Sequence, residues 1–278
     1  MIDLHLHTTA SDGLHTPVQL VALVKASGIT VMGVADHDTL ASVPELEGLT
    51  REAGIGFVAG IEITAVWLEH DVHLLGYFVD PRSPRLAVFL REQRADRERR
   101  ARLMGEKLAA LGMPIDIEPL VADARGKAVA RPALARVLVE AGYVTSVQDA
   151  FDRYLADDRP AWVQRCGATP AEVVALVNAE GGVVSMAHPG VSGRDDLIPD
   201  LARSGLAALE VIHPDHTADD IDRYRALIRE HGLAATGGSD FHGLGTHHPE
   251  LGRVCLSRAD FADFCRRAGR PMPDRAGR

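Results

Sequence analysis

Asp3, His5 and His7 sit at alternate positions in Asp3-Leu4-His5-Leu6-His7, and Asp12 follows in the turn Ser11-Asp12-Gly13. If the stretch is extended, Leu4 and Leu6 point to one face and the three polar residues to the other. Two imidazoles a strand repeat apart can grip one ion, and a short carboxylate in a turn can swing back toward them. Imidazole with carboxylate suits a divalent first-row metal. Taken alone, a His-x-His is better read as a buried strand with incidental histidines, so the rest of the chain has to decide.

The pattern recurs. Asp36-His37-Asp38 closes the apolar run Ile29–Ala35, Glu62 lies inside Gly56–Thr64, and His70 and His73 lie at the start of an apolar run reaching Val79. Farther on, Gly181–Ala187 ends in His188, Ala207–Ile212 in His213, and Ala234–Gly238 in Ser239-Asp240-Phe241-His242. A carboxylate such as Glu62 inside apolar sequence is costly unless paired. The set His5, His7, Asp12, His37, Glu62, His73, His188, Asp240 and His242 exceeds what one four- or five-coordinate ion uses. It implies two or three metals, with Glu62 the natural bridge. Asp36 and Asp38 read as supporting or loop-end residues. His15, His216, His231, His247 and His248 read as structural or solvent-exposed.

Helices must separate these strand ends. Thr16-Pro17 supplies a cap and first-turn proline for a helix ending at Gly28, and Thr169-Pro170 opens another. Apolar runs alternating with helices predict a parallel α/β fold, whose function gathers at the C-terminal ends of the strands. Residues 81–165 break the alternation and read as a helical insertion, a substrate lid on a domain made of 1–80 and 166–278. Its charged run Arg91–Arg102 reads as a solvated helix face. At Arg131-Pro132 a helix begins, where a guanidinium beside free N–H groups makes an anion site.

The 278 residues suit one large domain plus an insertion, with 46% hydrophobic and 25% charged residues as in a soluble globule. Neither a membrane span nor a signal peptide is expected, which predicts a cytoplasmic protein. Three cysteines without a Cys-x-x-Cys pair predict packing roles rather than a disulfide or thiolate site. A net charge of −9 argues against broad capture of a nucleic-acid backbone.

In order along the chain, His5-Leu-His7-Thr-Thr-Ala-Ser-Asp12-Gly, Ala-Asp36-His37-Asp-Thr, Gly-Ile-Glu62-Ile-Thr, His73-Leu-Leu-Gly-Tyr-Phe, Ala-His188-Pro-Gly and Gly-Ser-Asp240-Phe-His242-Gly resemble the polymerase and histidinol phosphatase (PHP) superfamily. The resemblance implies a distorted (β/α)7, TIM-like barrel holding a trinuclear centre. His5, His7, Glu62 and Asp240 would hold one ion; Asp12, His37 and His242 a second; Glu62, His73 and His188 a third. Manganese is expected, with iron or zinc also compatible with nitrogen and oxygen ligation. The chain looks most like stand-alone phosphoesterases of small nucleotides, whose insertion carries a pair like Arg131-Pro132; relatives often have histidine where Ala133 stands here.

The implied activity is hydrolysis of a nucleoside 3',5'-bisphosphate or 5'-AMP-like phosphomonoester by a metal-bound hydroxide, the bound water's pKa falling from about 15.7 toward about 7. Arg131 would stabilise the phosphoryl oxygens, and His213 would contact phosphate or protonate the leaving group. The alternatives are a 5'-3' exoribonuclease on short 5'-phosphorylated RNA, a histidinol-phosphate phosphatase, and a non-catalytic phosphate-binding module. No protein partner is indicated.

Overall fold

The computed structural model describes residues 1–123, 129–244, 246, 248 and 250–273. His247 and residues 274–278 of the Pro/Arg/Gly tail, expected to fray, lie outside them. Three short parallel strands, β1 (Ile2–Asp3), β2 (Val31–Gly33) and β3 (Gly56–Val58), form one sheet. A second sheet runs β4 (Gly60–Trp67), β5 (His70–Tyr77), β6 (Val183–Met186), β7 (Ala208–Ile212) and β8 (Ala234–Gly237) in that order. Backbone bonds join the sheets at both margins. Leu4 N donates to the Gly237 carbonyl at 3.2 Å and Leu6 bridges Phe241. At the other margin His37 bridges Glu62, and Asp38 N donates to the Glu62 carbonyl at 2.9 Å.

Two expectations change here. The run Gly56–Thr64, read as one strand, breaks at Ala59 into β3 and β4. Gly60 sits so close to β2's continuation that a Cβ would lie 2.5 Å from the Val34 carbonyl oxygen. The second change is direction: β5 is antiparallel to both β4 and β6, while β6, β7 and β8 are parallel. Leu68 and Glu69 turn the β4–β5 hairpin with φ of 45° and 73°. Two-residue hairpins of this kind usually carry Asn-Gly or Gly, and without that signal the turn is invisible in sequence.

The expected helices follow the strands. Thr16, Thr169 and Thr217 each cap a helix in a reciprocal capping box, with Gln19, Glu172 and Asp220 as partners. Leu20, Met32, Val43, Ile63, Val174 and Leu209 belong to the main core between helices and sheets. Between β5 and β6 a separate core forms from residues such as Met104, Leu108, Leu134, Leu138 and Leu155.

That region starts with a single 27-residue helix, Pro84–Ala110, whose first turn is capped by Ser83 accepting from Leu86 N at 3.1 Å. Its charged run is not a uniformly solvated face. Gln93, Asp96 and Arg100 are buried at helical spacing, and Arg97 points the same way, while Arg91, Glu92 and Arg99 face solvent. The cysteines are free, and Cys166 is exposed, so only Cys265 is fully packed inside. No described helix is long and apolar enough to cross a membrane.

Candidate metal centre

Leu4 and Leu6 are fully buried, Leu4 in a small hydrophobic cluster and Leu6 in the main core, and the alternating His5 and His7 turn to the centre of the site. There they meet Glu62, which β4 presents from its middle. Glu62 Oε2 lies 3.3 Å from His5 Nε2, 3.4 Å from His7 Nε2 and 3.2 Å from His37 Nδ1. Its other oxygen, Oε1, lies 2.8 Å from His73 Nδ1 and 3.1 Å from His188 Nε2. Asp240 Oδ1 sits 3.3 Å from His5 Nε2 and 3.1 Å from His7 Nε2. Asp12 reaches back from its turn to His242 at 3.3 Å, His37 at 3.7 Å and His7 at 3.8 Å. All nine side chains singled out in the sequence thus face one another across a single buried centre.

The geometry fits divalent cations better than hydrogen bonds. Many of these separations exceed the 2.7–3.2 Å of a good N–H···O contact, and His7 Nδ1 and Nε2, Asp12 Oδ1 and His37 Nδ1 are buried without a hydrogen-bond partner. Donors about 2.1 Å from a shared tetrahedral ion lie about 3.4 Å from one another. Among the described residues four groups have donor atoms close enough to share an ion: His5, His7, Glu62 and Asp240; His7, Asp12, His37 and His242; His37, Glu62 and His73; and His213, Asp240 and His248.

Surrounding contacts set the rings for ligation. His5 Nδ1 donates to Glu210 Oε1 at 2.9 Å, and His242 Nδ1 donates to the Asp240 carbonyl at 2.8 Å, leaving each Nε2 as the inward lone pair. Glu210 also accepts from His188 N at 2.8 Å, tying two candidate ligands to β7. Asp36, fully buried, accepts from Thr8 N and from the hydroxyls of Thr8, Ser11 and Ser42, which fixes the loop carrying Asp12.

Within the cluster the charges lean on one another. Burial alone would raise the carboxyls of Glu62, Asp12 and Asp240, but the surrounding histidines hold all three well below the ordinary range. Burial pushes His37 down to about 3. His242 goes the other way: burial opposes its charge, yet Asp12 and Asp240 raise it to about 10.

His213 closes the far side. Its Nδ1 accepts from Asp215 N at 3.2 Å, so in the neutral ring Nε2 carries the proton and points at Asp240 Oδ2, 3.5 Å away. His248, which the sequence reading left as structural or exposed, is placed instead 3.7 Å from Asp240 and 3.3 Å from Asp215. His216 is structural as expected, donating from Nδ1 to the Val211 carbonyl and accepting from Gly190 N at Nε2.

The helical region supplies the opposite wall. Arg131 starts the helix Arg131–Glu140, but its guanidinium is paired rather than free, with Asp157 at 2.6 Å and Asp71 at 3.5 Å. A cavity of about 200 Å³ separates this wall from Asp12, His37 and His73, with Arg97, Arg100 and Arg131 on its other side. Asp38 is buried beneath it, accepting from Arg97 Nε and Arg165 Nη2 at 2.6 Å each and from Thr64 N at 3.1 Å.

Glu210, Asp71, Arg97 and Arg100 were not singled out in the sequence, whereas Asp38 was, as a supporting or loop-end residue. Glu210 carried a usable signal, the same one as Glu62: a carboxylate inside an apolar strand.

Comparisons with known proteins agree with this geometry. Residues 3–129 match the model of the PHP domain. A 3',5'-nucleoside bisphosphate phosphatase of Chromobacterium violaceum is 32% identical over 99% of this chain and 97% of its own length. A 5'-3' exoribonuclease of Haemophilus influenzae is 35% identical, covering 86% of this chain and 89% of its own. A solved structure from Bifidobacterium adolescentis, described as a metal-dependent phosphoesterase, superposes with a TM-score of 0.87 at 31% identity over 96% of both chains. With likeness of that extent, the chain belongs to the PHP family.

Proposed function

We propose that the protein is a metal-dependent phosphoesterase that hydrolyses phosphomonoesters of small nucleotides, a nucleoside 3',5'-bisphosphate or a 5'-AMP-like compound. The observation that carries this reading is Glu62, a single buried carboxylate flanked by five imidazole nitrogens at 2.8–3.4 Å, two of them on His37 and His73, which line the arginine-bearing cavity. The two sheets, joined at both margins, are read as one distorted seven-stranded TIM-like barrel with β3 and β4 as halves of one kinked strand. Residues 81–165 are read as its substrate lid.

His5, His7, Glu62 and Asp240 would hold one divalent ion, Asp12, His37 and His242 a second, and Glu62, His73 and His188 a third, making two to three ions, with manganese our choice over iron or zinc. Bound there, such ions supply Lewis acidity that activates water and neutralises phosphoryl oxygens. The remaining work falls to the chain. Arg131 presents a guanidinium on the cavity wall, where it would bind and orient the phosphate facing His37 and His73. His213 Nε2–H, held by the Asp215 N–H on the other ring nitrogen, would donate to a substrate oxygen or to the leaving group. Glu210 holds His5 and His188, and Asp36 holds the loop of Asp12.

A phosphate-release screen tests the reading with AMP, adenosine 3',5'-bisphosphate, a short 5'-phosphorylated RNA and histidinol phosphate, each with manganese and with chelator. Manganese-dependent release from the small nucleotides is expected. Release only from histidinol phosphate, or none from any of the four, overturns it. Turnover confined to the RNA moves the protein to the exoribonuclease alternative.

A further inference from the structure

The chain returns from the helical region to the sheets along the flank of the long helix Pro84–Ala110, and residue after residue of that return is bonded to it. Lys107 donates to the Trp162 carbonyl at 2.6 Å, Arg100 to the Val163 carbonyl at 3.0 Å and Arg99 to the Gln164 carbonyl at 3.2 Å, and Asp96 accepts from Cys166 N at 3.2 Å. Two residues later the Ala168 carbonyl accepts from Val66 N on β4 at 2.9 Å. The return is wedged between helix and sheet: a Cβ on Gly167 would lie 3.3 Å from both Gln93 Oε1 and Val66 Cγ2.

Arg165 leaves this seam and crosses toward the metal centre. Its side chain is 1% exposed, and Nη2 donates to Asp38 Oδ2 at 2.6 Å and to Gln93 Oε1 at 3.2 Å. Its Nε and Nη1 are buried without a hydrogen-bond partner. A guanidinium this desolvated depends on the carboxylate it touches.

Asp38 is held from several sides at once. Arg97 Nε donates to the same Oδ2 at 2.6 Å, Thr64 N to Oδ1 at 3.1 Å, and Arg94 Nη1 to the Asp38 carbonyl at 3.0 Å, while Asp38 N donates to the Glu62 carbonyl at 2.9 Å. These bonds keep Asp38 at a φ of 50°, a left-handed conformation that a residue other than glycine holds when its surroundings impose it.

His37, the preceding residue, is aimed through its backbone. His5 and His242 each use one ring nitrogen for a hydrogen bond behind the centre, which sets the ring. Both nitrogens of His37 instead face carboxylates of the centre, Nδ1 toward Glu62 at 3.2 Å and Nε2 toward Asp12 at 3.7 Å. Its orientation follows from the backbone around it, where Asp38 N bonds the Glu62 carbonyl and Glu62 N donates to the Asp36 carbonyl at 3.2 Å.

We propose that Arg165 is a positioning residue for the candidate metal centre: through Asp38 it holds His37 in place to ligate, so that seating of the returning segment on the sheet and binding of the ion at His37 reinforce each other. This rests on the metal-centre reading and not on turnover. Among the described residues Arg97 lines the cavity and Arg165 does not, so replacing Arg165 tests the positioning role apart from substrate contact. Such coupling is reciprocal, so the ion must also tighten the seam.

The test is manganese titration calorimetry on metal-stripped full-length protein, with the folding of each variant checked by circular dichroism. Arg165→Met is expected to lose at least about tenfold in affinity for one ion, the one that His37→Ala fails to bind, with the other ions changed about threefold or less. Arg165→Lys should recover part of the loss. A folded Arg165→Met whose manganese affinities all match the parent's overturns the proposal, as does an equal loss at every ion, the signature of a general loosening of the fold. If Arg165→Met does not fold, amide hydrogen exchange of the unmodified protein decides. Manganese should slow exchange across residues 160–168 by about threefold or more beyond any change in the helix Arg258–Arg267, and equal effects on the two segments overturn the proposal. Absence of manganese binding by the unmodified protein overturns this inference together with the metal-centre reading. Manganese binding without phosphate release overturns the phosphoesterase reading alone, and the affinities still decide the role of Arg165.

Discussion

The two walls of the cavity are built on opposite principles. On the side of the two sheets, strands and the loops after them bring nine histidine and carboxylate side chains onto one buried centre, with donors spaced for shared cations and the rings of His5 and His242 set by Glu210 and the Asp240 carbonyl. On the helical side, arginines from a long helix, from the start of the helix Arg131–Glu140 and from a loop are held by carboxylates from elsewhere, Asp38 and Asp71 above all. The first wall prepares for ions through backbone geometry. The second clamps positive charge, and Asp38 and Asp71 belong to the sheet side, so the clamp also couples the two walls.

Breaking that coupling gives the largest expected effect. Asp38→Asn removes the acceptor shared by Arg97 and Arg165, both nearly buried, and should cost about 3 kcal/mol of stability. Burial would raise the Asp38 carboxyl, but Arg165 and Arg97 hold it below the usual carboxylate range. A depressed carboxyl contributes stability above its unfolded pKa of about 3.9 and loses it as pH falls through the folded value. Urea titrations should therefore show the gap between Asp38→Asn and the parent protein between pH 5 and 8 and a shrinking gap below about pH 4. A gap that grows in acid contradicts the assignment.

The complementary change on the sheet side is smaller. Glu210→Gln keeps shape but weakens the orientation of His5, and should reduce manganese affinity about 10- to 100-fold while the fold is retained. Unaltered affinity by metal titration would reduce Glu210 to a structural residue.

The smallest effect is at the turn that reverses the chain between β4 and β5. Replacing Leu68-Glu69 with Asn-Gly supplies residues suited to positive φ at both positions and should stabilise the protein by about 1 kcal/mol or less, read as a slightly higher Tm with metal content unchanged. A lower Tm would mean that the Leu68 and Glu69 side chains matter to the turn.

The same contrast explains what could be read in advance. The sheet wall was legible because strand alternation is short-range: Leu4 and Leu6 declare which way His5 and His7 point, and Glu62 is conspicuous in apolar sequence. Glu210 sent the same message from Ala-Leu-Glu-Val-Ile, but no histidine adjoins it within the strand to draw attention. The arginine wall was not legible. Arg97 and Arg100 sit in a run where nearly every residue is charged, and only partners more than twenty residues away, such as Asp38, Asp71 and Val163, show which of them turn inward. The hairpin direction was hidden for a similar reason, since its turn residues are poor indicators of the conformation they adopt.

Metal analysis of purified Glu62→Gln beside the parent protein tests the central claim most directly. If Glu62 is the carboxylate shared between ions, the parent protein holds two to three equivalents of transition metal after manganese loading and the variant falls below one. Phosphate release should then drop about a thousandfold, equivalent to roughly 4 kcal/mol of transition-state stabilisation. Equal metal content in the two proteins, or less than one equivalent in the parent, would contradict the account.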